Sequence, residues 1–550
     1  MTAWAPLRHR AFRALWLASF ATLTGSWIAD STAAWLMTSL SPSPLMVALV
    51  SSAITLPILL MALPAGAVAD LFDRRMVLIV TQVWVTLVSL ALFAVSLGGR
   101  MTAELLLALT FAHGIGSAIR LPVTAAMTPG LVPRADLANA LALHGVSFNG
   151  ARVVGPVLAG LLLAWIGGPW VFLVCALISV AVTVAYARGA TQQRTSSLPN
   201  ERFVAAMRLG LQFARQTPAM VAALAHVCGY TFFAVVMQAL LPLVARDRLG
   251  GDAGTYTLLL SAMGIGAIVG VVALPALRRR LNRDQLLAAF AITQAVGTAA
   301  LSQATNPWLA APALFAGGLA WTATFNVLNV TAQMALPDWV RARGTAVFIA
   351  SGMVGATLGG FAWGQIATVA SIERAMEVSA FASLIAYALL RRRYRLSGLA
   401  ETDLTPVQVT PEFAAGATIE DDQGPVMVTI DYQIDPARAE EFSAVMADSR
   451  RWRLRHGALH WGLYRDIADP GRYVEHFLVD SWLDRLRQIE RLTAEDIALR
   501  DRKNEFHLGA EPPEMRHLLM EPTERREIFG VRTGCVDSKA RAARSTSASA

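Results

Sequence analysis

Charge is scarce in this chain. Of its 550 residues only 16 % are Asp, Glu, Lys or Arg, against about 25 % in soluble domains, which excludes an ordinary soluble enzyme of this length. Cysteine is nearly absent. Cys175 and Cys228 fall in apolar segments and Cys535 near the C-terminus, so there is neither a disulfide framework nor metal-ligand spacing, and no cofactor is implied. Lysine occurs only at Lys503 and Lys539, leaving arginine to supply the positive charge. The first apolar run lacks a small-residue cleavage site, so it is expected to be a span and not a removable leader.

What is abundant is apolar sequence. Hydrophobic residues make up 55 % of the chain and the mean hydropathy is +0.47, as expected of a polytopic membrane protein. Runs near the roughly 20 residues that cross a bilayer recur at 11–37, 44–69, 76–98, 103–123, 139–166, 169–187, 219–245, 254–277, 284–304, 308–335, 344–370 and 374–390. Twelve transmembrane helices are therefore expected. Arginines cluster on alternate loops, at Arg8, Arg10 and Arg13, at Arg74 and Arg75, at Arg278–Arg280 and at Arg391–Arg393. The positive-inside rule then puts both termini on the cytoplasmic side. The net charge of +8 reads as anchoring to an anionic leaflet, with the lipid bilayer as partner and no nucleic acid needed.

The spans form two related sets. Gly66 and Gly270, Arg74 and Arg278, Arg75 and Arg279, Pro133 and Pro337, Gly155 and Gly359, and Gly160 and Gly364 all pair at one offset of 204 residues, the signature of a six-helix duplication. This divides the chain into a first half (1–187), a connection (188–218), a second half (219–395), an acidic linker (396–424), a soluble module (425–530) and a disordered tail (531–550). The connection turns amphipathic after residue 202 and is expected to lie along the membrane surface.

Within the fifth span, Ala151-Arg152-Val-Val-Gly155-Pro156 and then Ala159-Gly160 set an arginine in a seam of small residues that admits a close helix neighbour. A charge at that depth is costly and marks a solute or ion pathway. Counting from the cytoplasmic end, Arg152 lies about 20 Å in and Asp30 of the first span about 27 Å, a gap an arginine side chain can bridge. A buried acid beside a cation can exchange protons, so Asp30 is a candidate coupling acid; the rival reading is a Trp27/Asp30 interfacial anchor. His113 in the fourth span is a candidate for titration near neutral pH, the rival reading being an interhelical hydrogen-bonder. Asn149, and Asn326, Asn329 and Gln333 of the tenth span, are candidate cavity residues or interhelical hydrogen-bonders. Arg120 reads as a snorkelling topogenic charge.

The module has strand-like alternation at 426–434, a helix at 436–456, strands at 459–466 and 472–482 joined at Asp469-Pro470-Gly471, a helix at 482–502 and a strand at 515–520. That β-α-β-β-α-β order is ferredoxin-like.

The loop Gly66-Ala-Val-Ala-Asp70-Leu-Phe-Asp73-Arg74-Arg75 resembles the signature loop of the major facilitator superfamily, with Leu71 in place of a basic residue and Asp73 in place of a glycine. The resemblance implies a conformational gate formed by Gly66, Asp70, Arg74 and Arg75 against the start of the eleventh span near Arg343. Gly155, Pro156 and Gly160 resemble the motif associated with export in that family, with Ala151 and Ala159 replacing glycines. Leu131-Val-Pro-Arg134 and the run from Asn149 to Pro156 are similar to the branch containing the enterobactin exporter and the transmembrane secretion effectors. The module, with His456, His460, Trp461, Tyr464, His476, Trp482 and His507, resembles the antibiotic-biosynthesis monooxygenase-like fold. Together these imply proton-driven export of a siderophore- or drug-like amphipathic small molecule, with the module non-catalytic and able to form a homodimer. An uptake permease and a membrane-tethered monooxygenase or sensor remain as alternatives.

Overall fold

The computed structural model describes residues 4–61, 64–65, 72–128, 131–133, 136–188, 203–337, 339–396, 407, 419–420 and 423–521. In a few helical stretches, Asn149 among them, only the backbone is described. Gly66, Asp70, most of the acidic linker and the tail lie outside these residues. The chain forms two compact units: 1–203, 219–334 and 345–399 in the first, and 204–218, 335–344 and 400–550 in the second.

The first unit is helical. Its long helices are α1 (Arg10–Leu40), α2 (Pro44–Met61), α3 (Arg74–Leu97), α4 (Ala103–Met127), α5 (Leu137–Ile166), α6 (Gly168–Arg188), α8 (Pro218–Ala239), α9 (Ala253–Arg278), α10 (Arg283–Gln303), α11 (Pro307–Met334), α12 (Arg341–Val369), which begins in the second unit, and α13 (Ile372–Arg393); α7 (Phe203–Gln216) precedes α8. Nine spans, those of α2, α3, α5, α6 and α8–α12, are long and apolar enough to cross a membrane among the described residues. Polar caps set their ends: Asp73 accepts the Met76 amide at 2.9 Å to start α3, and Asn282 and Gln285 form a capping box at α10. Asp73, a departure from the family loop, thus has a local role.

The duplicated glycines pack equivalently. A Cβ on Gly155 of α5 would collide with Trp27 of α1, and one on Gly359 of α12 with the Phe232 carbonyl of α8. On its other side α5 places Gly160 against Thr257 of α9, while α12 places Gly364 against Ala48 and Leu45 of α2. Each of these helices therefore packs on the first helix of its own set and the second helix of the other.

Among the described residues, one group of contacts between the sets lies at one end of the bundle. Ser52 donates to the Thr357 carbonyl (3.0 Å), Thr55 and Thr357 hydroxyls meet at 2.8 Å, and Trp35 stacks on Tyr256 with centroids 5.4 Å apart. One apolar cluster there joins Met37 and Val47 to Val235, Leu259, Leu314 and Trp363. At the opposite end Leu15, Leu78, Val123 and Tyr186 form a cluster from the first set.

In the second unit β1 (Val426–Gln433), α14 (Ala439–Arg455), β2 (His460–Arg465), β3 (Arg472–Val479), α15 (Trp482–Glu490), α16 (Ala494–Asn504) and β4 (Glu514–Leu519) follow in order. The antiparallel sheet has strand order β2-β3-β1-β4. Val428, Ile430, Tyr432 and Phe477 of the sheet pack on Phe442 and Phe506. The single helix expected at 482–502 is two, because Thr493 and Asp496 form a capping box that starts a new helix.

Part of the amphipathic connection, α7, packs within the second unit. Leu209 lies against Gly457, Gln212 donates to the Ala458 carbonyl at 3.4 Å, and Phe213, 1 % exposed, meets Trp339 edge to face at 5.6 Å. Trp339 also faces His456 (5.7 Å) and carries the Arg491 guanidinium 4.6 Å from its ring. Leu209 and Phe213 are thus covered by protein, whereas Leu211 on another side of α7 is 41 % exposed.

Candidate functional site: an arginine between two indoles

Ala151, Gly155 and Ala159 form the small-residue face of α5, and it lets α1 approach until Trp27 touches the Gly155 backbone. One turn away, the Arg152 guanidinium carbon lies 5.9 Å from the Trp27 ring and 5.5 Å from that of Trp321 on α11. The first indole belongs to the first helix set and the second to the other, so the cation bridges them. Trp321 packs at 6.0 Å on Tyr230 of α8, whose hydroxyl donates to Gln294 of α10 at 3.1 Å. Gln294 is 4 % exposed and reaches Thr298. Cation–π attraction contributes about 0.5–2 kcal/mol per ring, less than the several kcal/mol that removing an ion from water costs.

The bridge from Arg152 to Asp30 expected from helix depth is not formed: among the described residues no ion pair joins them, and the guanidinium is turned to the indoles. Asp30 has Cys175 of α6 and Tyr256 of α9 as its electrostatic neighbours. His113 is 4 % exposed in α4, with Arg120 its charged neighbour. Arg120 does not snorkel; it is 2 % exposed and its Nε has no hydrogen-bond partner among the described residues. Asn326 accepts from Arg278 at 3.3 Å, and Gln333 donates to Asn329 at 3.1 Å, so these amides are engaged away from Arg152. Pro156 is buried in α5. The Arg75 Nε donates to the Tyr186 carbonyl at 3.0 Å, tying α3 to α6. Arg74 begins α3, Arg343 lies beside Gly210 within the second unit, and the gate partners Gly66 and Asp70 are outside the described residues.

The sequence points to Trp27 only as a surface anchor and to Trp321 not at all. Their signal was position. Trp27 and Trp321 sit near the middles of α1 and α11, whereas membrane-anchoring tryptophans gather at the interfaces. A small cavity beside Tyr230 and Gln294, bounded also by His226, Ser379 and Tyr387, has a volume of about 40 Å³, room for a few waters and not for a drug-sized molecule.

The second unit contains a buried ionic cluster that the sequence did not announce. Glu475 of β3, fully buried, accepts from Ser449 (2.8 Å), Trp461 (3.0 Å), Arg453 (3.1 Å), Tyr432 (3.3 Å) and Lys503 (3.3 Å). Burial pushes its carboxyl up, but Arg453 and Lys503 outweigh this and hold it well below the usual range. A carboxylate so saturated has no lone pair free for base chemistry. His460 and His476 pair with each other at 3.2 Å, and the His507 Nδ1 accepts the Gln433 amide at 3.0 Å.

The family described as Transmembrane secretion effector (MFS_3) matches residues 1–526. The Staphyloferrin A transporter of Staphylococcus aureus is 24 % identical over 264 residues, covering 47 % of this chain and 65 % of the relative. The Multidrug efflux pump Tap of Mycolicibacterium fortuitum is 24 % identical over 374 residues, covering 65 % and 90 %. The chain thus spans just under two thirds of the first relative and nine tenths of the second. A crystal structure of a mutant of the nucleoside transporter NupG superposes with a TM-score of 0.57 at 13 % identity, covering 70 % of this chain and all of that one, a likeness of fold.

Proposed function

The chain belongs to the transmembrane secretion effector family of MFS-type transporters, and from that premise we propose that it exports a small amphipathic molecule, siderophore- or drug-like, across the bacterial inner membrane. Its family and relatives are transporters and not enzymes. In this reading twelve helices form two six-helix halves with both termini cytoplasmic, and the substrate sits between the halves. The observation that carries it is the Arg152 cage, because Trp27 and Trp321 come from opposite halves. Rocking of the halves necessarily opens or closes such a cage.

We assign proton antiport to Asp30, the acid whose electrostatic neighbours include Cys175 of one half and Tyr256 of the other. The second unit is read as a ferredoxin-like, monooxygenase-related module without catalysis, of the enterobactin-exporter branch. The sheet face opposite α14, where Tyr464 is 58 % and Leu518 46 % exposed, supports a homodimer through this module. Efflux from proteoliposomes under an imposed pH gradient tests the reading. Gradient-driven efflux that Asp30→Asn uncouples is expected; efflux indifferent to the gradient refutes antiport, and no efflux of any siderophore- or drug-like solute refutes export.

A further inference from the structure

The Arg152 guanidinium makes no hydrogen bond and no ion pair with another described residue; its contacts are two indole faces. An aromatic face attracts a cation but accepts none of its five N–H bonds in their plane. The donors are therefore left for something that is not part of the helices. Tyr230 and Gln294 are neutral and spend their bond on each other, and Asp30 does not pair with Arg152. Arg120 is buried in α4 with its Nε unpartnered among the described residues. The acids nearer helix ends are engaged: Glu373 with Arg248, Glu377 with Gln303, and Asp284 with the Leu396 amide. Among the described residues of the first unit, Arg120 and Arg152 lie away from helix ends, as does Asp30.

We propose that the molecule carried is an anion, bound through a carboxylate or comparable planar acidic group to the free edge of Arg152, with its flat apolar part beside Trp27 and Trp321. A guanidinium fork matches a carboxylate in two parallel hydrogen bonds, and the anion supplies the countercharge that the helices do not. The two indoles fix the plane of the fork, so the edge is presented before the ligand arrives. The exporter reading gives this anion its place in a transport cycle, but binding itself does not depend on that reading.

The test uses the full chain in nanodiscs of zwitterionic lipid, with two dyes that share a flat xanthene frame and differ in charge: fluorescein, an anion, and a rhodamine ester, a cation. Fluorescence anisotropy should show fluorescein binding at least about tenfold tighter than the rhodamine. Arg152→Gln should abolish that preference and Arg152→Lys should keep part of it. Equal binding of both dyes by the unaltered chain overturns the proposal without any variant, as does fluorescein binding unchanged in Arg152→Gln. Anionic lipid is the other source of the same chemistry. If doping the discs with phosphatidylglycerol displaces fluorescein while soluble benzoate does not, the site belongs to lipid and the proposal for a carried anion falls. Anion-selective binding without any efflux would sink export and leave this inference standing, so the two failures are distinguishable.

Discussion

An alanine at Gly160 should shift the balance between the transporter's conformations. Its Cβ would fall on the Thr257 side chain of α9, overlapping both Oγ1 and Cβ, and neither a helix backbone nor a β-branched residue can yield locally. The helices α5 and α9 must part, so the strain falls on the state in which they touch. Overpacking of this kind costs about 1–3 kcal/mol, and with about 1.4 kcal/mol per factor of ten the touching state loses roughly 5- to 150-fold in relative population. Val153 reports on that state, because its methyl groups lie against Gly264 of α9. In a chain whose native cysteines are replaced, Val153→Cys should react with maleimide faster when Gly160→Ala is added. Thr257→Gly should restore the rate in the Gly160→Ala background. An unchanged rate in Gly160→Ala, or no rescue by Thr257→Gly, would refute the reasoning.

Two predictions concern the second unit. Glu475→Gln leaves Arg453 and Lys503 buried without their countercharge, which should cost about 3–5 kcal/mol and lower the module's calorimetric transition; a loss below about 1 kcal/mol would show that the cations do not need the acid. His456 is pushed down to about 4, chiefly by burial. The folded chain thus binds this proton less readily than the unfolded one, whose histidine titrates near 6.5. The stability it confers is complete above about pH 6.5 and is lost as the pH falls towards 4. His517, also pushed down to about 4 by burial and Arg485, adds to the same slope, so His456→Gln should flatten the calorimetric pH dependence in part. An unchanged slope would contradict the assignment.

Much of the membrane architecture was legible because a bilayer imposes length and apolarity on each span. Helix α3 begins at Arg74, α5 ends at Ile166 and α11 ends at Met334, each within two residues of the apolar run that forecast it. Gly155 and Gly359, which the sequence pairs at one offset, each admit a close helix neighbour, which is why glycine at these positions stands out in the sequence. What failed was pairing at a distance. Axial rise places Arg152 and Asp30 at similar depth but says nothing of azimuth, and azimuth turned Arg152 towards Trp27 and Trp321. The partner of α7 was hidden for a related reason. A helical stripe such as Leu209 and Phe213 states that something apolar covers it, and lipid and protein leave the same imprint.

The chain passes between the two units five times, and the second unit is assembled from three separated stretches. A boundary drawn at the acidic linker is therefore a boundary in sequence and not in matter. An isolated fragment starting at residue 424 would leave Gly457 without Leu209, and His456 and Arg491 without Trp339. The truncated remainder would carry Leu209 and Trp339 without these partners. Neither half of such a cut is a natural object, and any attempt to express, swap or fuse the soluble part must carry α7 and the segment 335–344 along with it or replace what they cover.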